Sequence, residues 1–257
     1  MFVRHAICPQ LLTLFLTSFW HLVDGTQLID PRIIGGYVAN IKDLKYLVQV
    51  STDEEICGGS LITSRWVITA AHCVYNVNLS DLRVIGGTSE QGDQNAIIRM
   101  VNLVATPPGF SMKTMNMDVA ALLLDQEMSG PSVQTIKLAA QPAPPGKLVK
   151  VSGWGAVSTK SSQTARQVHS VLMPMWSTAA CRSAYRGKQH ITRSMVCASK
   201  PYQRDSCDGD SGGPMVYRGE LVGIVSFGFE CASQLPGVYT SVPVVRRWFF
   251  DMVEEYS

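Results

Sequence analysis

The eight residues Cys207 to Pro214, CDGDSGGP, set an aspartate directly before a serine and surround the pair with glycine. A serine hydroxyl is a weak nucleophile, so chemistry at Ser211 requires a base within reach and a third group that orients that base. Beyond the N-terminal segment the chain has three histidines, His72, His169 and His190, and His72 alone lies in a dense apolar context, WVITAAHC, beside Cys73. Asp118 stands between MNM and VAALLL. An acid at the edge of so apolar a strand favours burial against a partner charge. Taken singly, each residue also has a purely structural reading, as a core histidine, a turn acid or a glycine-rich surface turn.

The elements that must bring these groups together are strands. After residue 33 the apolar residues come in short, often β-branched runs broken by Gly, Pro, Asn or Asp: YLVQV, SLITSRWVITA, RVIGG, AIIRMV, DVAALLL, LVKVSGWG, PMVYRGELVGIVSFG and GVYTSV. That spacing predicts an all-β chain of barrel or sandwich type. Arg218-Gly219 reads as a hairpin turn, and QPAPPG, Gln141 to Gly146, reads as a linker between two similar halves. Only VPVVRRWFFDMVEEYS changes period: Val245, Trp248, Phe249, Met252, Val253 and Tyr256 recur at steps of three and four, which predicts a docked C-terminal helix.

Composition bounds the rest. With 257 residues, 46% hydrophobic and 16% charged, the chain can bury a sizeable core. A formal net charge of +2 and the lack of any run of five basic residues argue against nucleic acid or an anionic membrane as the main partner. At the N-terminus, Arg4 and His5 precede LLTLFLTSFW, Leu11 to Trp20, and Gly25 follows as a small residue suited to cleavage. This predicts a secretory signal over 1–25 and hence an extracellular protein. The alternatives, a core helix or a membrane anchor, fit less well, because spanning a bilayer takes roughly 18 to 20 apolar residues.

Seven cysteines become six once Cys8 leaves with that segment, and an even number in an exported chain predicts disulfides. Six cysteines allow 15 pairings, among them the sequence neighbours Cys57 with Cys73, Cys181 with Cys197 and Cys207 with Cys231. Zinc is the rival reading, but no CxxC or HxxxH spacing supports it.

Several motifs in one order carry a resemblance. TAAHC (Thr69 to Cys73), DVAALL (Asp118 to Leu123), SGWG (Ser152 to Gly155) and GDSGGP (Gly209 to Pro214) make the chain similar to the trypsin and chymotrypsin family of serine proteases from Ile33 to the C-terminus. The resemblance implies two six-stranded antiparallel β-barrels packed together, with a C-terminal helix and an active site in the crevice between them. The first barrel would run over about 33–140 and the second over about 141–257. The family's roles would fall on Ser211 as nucleophile, His72 as general base, Asp118 as its orienting acid, and the backbone N–H groups of Gly209 and Ser211 as the oxyanion hole.

The same resemblance implies a zymogen. Cleavage between Arg32 and Ile33 would free an α-ammonium group able to pair with Asp210, and the activation segment 26–32, which contains no cysteine, would be released. Asp205 would floor a pocket kept open by Gly228 and Gly237, favouring Arg or Lys, while Ser226 and Gly228 would bond the substrate strand. The implied partners are protein or peptide substrates with Arg or Lys at the cleavage site and an activating protease, with the enzyme a monomer and no cofactor.

Departures from the family pattern also carry expectations. Phe227 replaces a usual tryptophan, Asp208 a usual glutamine, and Glu230 near the pocket mouth should disfavour acidic residues directly beside the cleaved one. Met115 is a candidate for the adjoining subsite. Gly87 replaces a calcium-ligating glutamate, so no calcium site is expected, and Glu90 and Asp93 read as solvated loop acids. Asn78-Leu79-Ser80 is a glycosylation sequon. Two other classes of function remain at this point: a catalytically inactive, protease-like binding or regulatory protein, and a purely structural extracellular domain.

Overall fold

The computed structural model describes residues 36–53, 55–158, 161–201, 206, 209–229 and 233–256. The expected signal and activation segments, Arg32 and Ile33, Asp205, Asp208, Glu230 and the expected Cys207–Cys231 pair lie outside the described residues.

The chain opens with a two-residue strand β1 (Tyr37–Val38) and then builds β2 (Leu47–Ser51), β3 (Ile56–Leu61), β4 (Trp66–Thr69), β5 (Arg83–Gly86), β6 (Ile97–Ala105) and β7 (Ala120–Leu124). These last six close into a barrel in the order β2-β3-β4-β7-β6-β5, so no long edge is left unpaired. The second half comprises β8 (Lys137–Leu138), β9 (Leu148–Gly153), the hairpin β10 (Ala156–Ser158) with β11 (Ser161–Thr164), β12 (His169–Pro174), β13 (Met195–Ala198), β14 (Pro214–Tyr217), β15 (Glu220–Phe227) and β16 (Gly237–Ser241). Six of these run β12-β9-β14-β15-β16-β13. A bridge between Met175, just past β12, and Ala198 at the end of β13 joins the two ends of that row into a second barrel.

The runs read from sequence as strands are strands. β7 is buried along nearly its whole length because its two faces meet the barrel interior and the neighbouring layer, so it lacks polar alternation. The Arg218-Gly219 turn is a two-residue hairpin with both residues at positive φ, 50° and 80°, as that tight connection requires.

The halves interlock more than a linker at 141–146 suggests. β1 pairs with β12 in the second barrel, and β8 enters the same sheet by pairing parallel with β15. Two helices complete the fold, α1 (Thr178–Ala184) and α2 (Val242–Glu255). α2 buries Val242, Val245 and Phe249, and Phe249 meets Trp66 of the first barrel edge to face with ring centroids 6.4 Å apart. The C-terminal stripe therefore caps the other barrel's core, at roughly 2 kcal/mol for each large apolar side chain removed from water.

Candidate active site

His72 and Asp118 meet because their strands do. β4 and β7 are antiparallel neighbours, with Thr69 opposite Ala120. A turn three residues past Thr69 and a residue two before Ala120 therefore emerge at the same barrel end. There the His72 ring places Nδ1 2.8 Å from Asp118 Oδ2, and the His72 backbone N–H donates to Asp118 Oδ1 at 2.9 Å. Asp118 is wholly buried, whereas the His72 side chain keeps 18% of its surface exposed. An acceptor-only carboxylate facing Nδ1 fixes the proton on that atom and leaves Nε2 as the basic nitrogen.

The second barrel completes the acid's surroundings. Ser226 at the end of β15 donates its hydroxyl to Asp118 Oδ2, and Thr240 of β16 donates its own to the Asp118 carbonyl at 2.7 Å. Ser194 Oγ accepts the N–H of Met117 at 3.1 Å and donates to Asn116 Oδ1 at 3.1 Å. Partners 77 to 122 residues away thus hold the segment carrying Asp118, and no local pattern announces them. Ser226 was expected only for its backbone; its hydroxyl contact with Asp118 depends on the approach of the two barrels.

Ser211 is held differently. Its carbonyl accepts from the N–H of Gly58 in β3 at 2.7 Å, while Gly212 N–H donates to Val225 O at 2.8 Å and Gly213 N–H to Asp210 O at 2.9 Å. Gly212 sits at φ 75°, and a Cβ there would collide with Thr69 Oγ1 and the Gly58 carbonyl, so both conformation and space demand glycine. Cys57, next to Gly58, is bridged to Cys73, next to His72. A short covalent and hydrogen-bonded path therefore runs from the Ser211 backbone to the histidine. Ser211 Oγ makes no hydrogen bond among the described residues, and His72 Nε2 lies 3.7 Å from Cys73 Sγ. Gly209 turns at φ 90° before Ser211.

Asp210 is fully buried. Its carboxylate accepts from Gly155 N–H at 2.9 Å and lies so close to Gly153 and Gly155 that a Cβ on either would overlap it. The SGWG stretch therefore has a physical role, as the bare backbone against which this carboxylate packs.

Phe227 stacks edge to face on Tyr185 with centroids 6.1 Å apart, and Met115 packs on the same cluster as Tyr185, Cys181 and Cys197. Cys181 and Cys197 are bridged. Gly228 is exposed with open space where a side chain would sit, and Gly237 is buried in β16. His169 is buried in β12 with Nδ1 2.6 Å from the Gln167 carbonyl, and His190 is exposed in a loop, so neither joins His72.

Glu90 pairs with Arg166 at 3.3 Å. Asp93 accepts from Asn95 N–H at 2.9 Å and from the Thr88 hydroxyl at 2.7 Å, bonds that hold its carboxyl below the usual range. Among the described residues the grouping of metal-capable atoms is Cys57, His72 and Cys73, whose sulfurs are already joined as a disulfide and so offer no thiolate. Asn78 is exposed, and its amide donates to Asp81 at 3.2 Å.

The family model described as Trypsin matches residues 33–249. Seminase of Drosophila melanogaster is 39% identical over 220 residues, covering 84% of this chain and 80% of that protein. Trypsin delta of Drosophila erecta is 36% identical over 224 residues, covering 86% and 88%. Among solved structures, the scabies mite inactivated protease paralogue S-D1 superposes with a TM-score of 0.82 at 26% identity, covering 87% of this chain and 98% of that one.

Proposed function

Because this chain belongs to the trypsin family of serine proteases, we propose that it is a secreted endopeptidase, made as a zymogen, that hydrolyses peptide bonds after Arg or Lys. The observation that carries the catalytic part is the buried Asp118 gripping both the ring and the backbone of His72 beside the anchored Ser211 loop. In this reading Ser211 Oγ attacks the scissile carbonyl carbon while its proton passes to His72 Nε2. The developing oxyanion takes hydrogen bonds from the N–H groups of Gly209 and Ser211. His72 then returns the proton to the departing amine, leaving an acyl-enzyme that water hydrolyses by the same path in reverse. Catalytic hydrogen bonds are often long in unliganded sites and tighten with substrate, which accommodates the unbonded Ser211 hydroxyl.

We assign specificity to Asp205, which by the family pattern would lie at the base of a pocket bordered by Gly228 and Gly237. Its carboxylate would pair with a Lys or Arg side chain, and Ser226 and Gly228 would hold the substrate backbone as an added strand. The zymogen reading draws on strand register. Val38 lies opposite His169, which lies opposite Gly153, the residue against which Asp210 packs. Two strand spacings amount to roughly 10 Å. Five residues of extended chain from Ile33 to Val38 reach about 16 Å, enough to bring a freed Ile33 ammonium to that buried carboxylate.

A second reading, a catalytically silent binding protein, draws on the inactivated scabies mite neighbour. It is disfavoured by the joint presence of His72, Asp118 and Ser211. The test is hydrolysis of matched Arg, Lys, Phe and Ala chromogenic peptides by protein beginning at Ile33 and by protein retaining Arg32. We expect Arg and Lys cleavage by the first alone, with organophosphate labelling abolished in Ser211→Ala. Equal activity of the uncleaved chain would reject the zymogen, and absent labelling of the cleaved chain would favour the silent protein.

A further inference from the structure

Beside the segment that carries Asp118 lies an open cavity of about 840 Å³ whose lining includes Lys113, Arg182, Arg186, Lys188 and His190 and, among the described residues, no aspartate or glutamate. Across the whole chain, 22 basic residues are nearly balanced by 20 acidic ones, so four cations gathered with no carboxylate among the described lining residues mark this surface out. Among the described residues none of Lys113, Arg182, Arg186 or Lys188 is in an ion pair, and each is exposed to solvent.

The cavity walls include Lys113, Thr114 and Asn116 of the segment that leads to Asp118. Gln189 donates to the Thr114 carbonyl at 2.8 Å, and Arg182 Nε donates to the Ile191 carbonyl at 3.2 Å, which pins the basic loop to the 111–117 segment and to α1. An aromatic ladder leads from the cleft to the charges. Phe227, next to Ser226, stacks on Tyr185, Tyr185 lies 5.8 Å from exposed Phe229, and the Lys188 ammonium stands 5.8 Å above the Phe229 ring. A substrate strand laid antiparallel along Ser226–Gly228 runs toward its own N-terminus as it passes Phe229.

We propose that this cavity is an anion-recognising extension of the cleft that captures acidic side chains lying some residues before the cleaved bond. It rests on the peptidase reading above and supplies a substrate class for it: proteins with an acidic tract upstream of the cleaved Arg or Lys.

The test uses full-length chain processed at Arg32 and peptides with one cleavable Arg preceded, at varied spacing, by a tract of Glu or of Gln. We expect kcat/KM for the best-spaced Glu peptide to exceed that of its Gln twin by about tenfold at low salt, the size expected from a few exposed ion pairs. The gain should reside in KM and vanish in molar salt, where screening falls to about 3 Å. In the exposed double variant Arg186→Glu, Lys188→Glu it should vanish or invert, while a short chromogenic Arg substrate, which does not reach the cavity, is cleaved as by the parent. Fluorescence anisotropy of the labelled Glu and Gln peptides on Ser211→Ala reads the same preference without catalysis. If the short substrate is not hydrolysed, the peptidase reading falls and anisotropy alone decides the anion site. Equal handling of Glu and Gln peptides overturns the proposal, as does binding of a sulfated hexasaccharide without any discrimination between the peptides, which would make the surface a polysaccharide site.

Discussion

The two barrels hold their parts of the site by different means. On the first, Asp118 is gripped by the His72 ring, the His72 backbone, Ser226 and Thr240, three of these contacts coming from side chains. On the second, Ser211 is held through main-chain bonds to Gly58 and, by way of Gly212, to Val225. A side-chain network fixes the position and tautomer of a base, and its strength is graded, since one member can be lost while others persist. A backbone clamp built on glycines has no such reserve, because any added Cβ meets backbone atoms that cannot yield.

This contrast can be broken most severely at its acid. Asp118→Asn keeps the shape but offers the His72 ring an amide, and the wrong tautomer should lower kcat by about 10⁴-fold while circular dichroism stays native. A decrease under tenfold would remove Asp118 from its orienting role. On the clamp side, Gly212→Ala must fit a methyl group against Thr69 Oγ1 and the Gly58 carbonyl at φ 75°. We expect about 3 kcal/mol lost in denaturant unfolding together with collapse of activity, because the cost falls on the loop that presents Ser211. Unchanged stability would show that the loop relaxes freely.

Ser226→Ala sharpens the comparison by removing one donor from the network. Asp118 keeps both His72 donors, so kcat/KM should fall only about tenfold and stability by about 1 kcal/mol. A loss as large as that of Asp118→Asn would mean that the network has no redundancy. Smallest of all is Gly219→Ala in the Arg218-Gly219 turn, where φ is 80° but nothing lies within 4 Å of the added methyl. About 1 kcal/mol of stability should go, with turnover unchanged, which separates conformational strain from steric conflict at the clamp.

Some of this was legible in the chain and some was not, for reasons that differ by residue. DVAALLL and WVIT announce strands because two buried faces need continuous apolar runs. HSVLMP of β12 passes unnoticed because His169 and Ser170 face buried polar partners rather than water, which spoils the alternation. α1 escapes because seven residues are too few for a periodic stripe, although Ser177 caps it by accepting from Ala180 N–H at 3.1 Å. The pairings Cys57–Cys73 and Cys181–Cys197 were two among several possibilities until the strands set their distances.

The order and residue types of His72, Asp118 and Ser211, the strand-rich pattern and the C-terminal helix belong to the sequence, since residue type and period are local properties. Which donors surround Asp118, why Gly155 must be bare beside Asp210, and how scattered cations become one cavity belong to the folded molecule. Those facts depend on residues up to 122 positions apart meeting across two barrels, and contact at such separation is set by packing, which no short stretch of chain encodes.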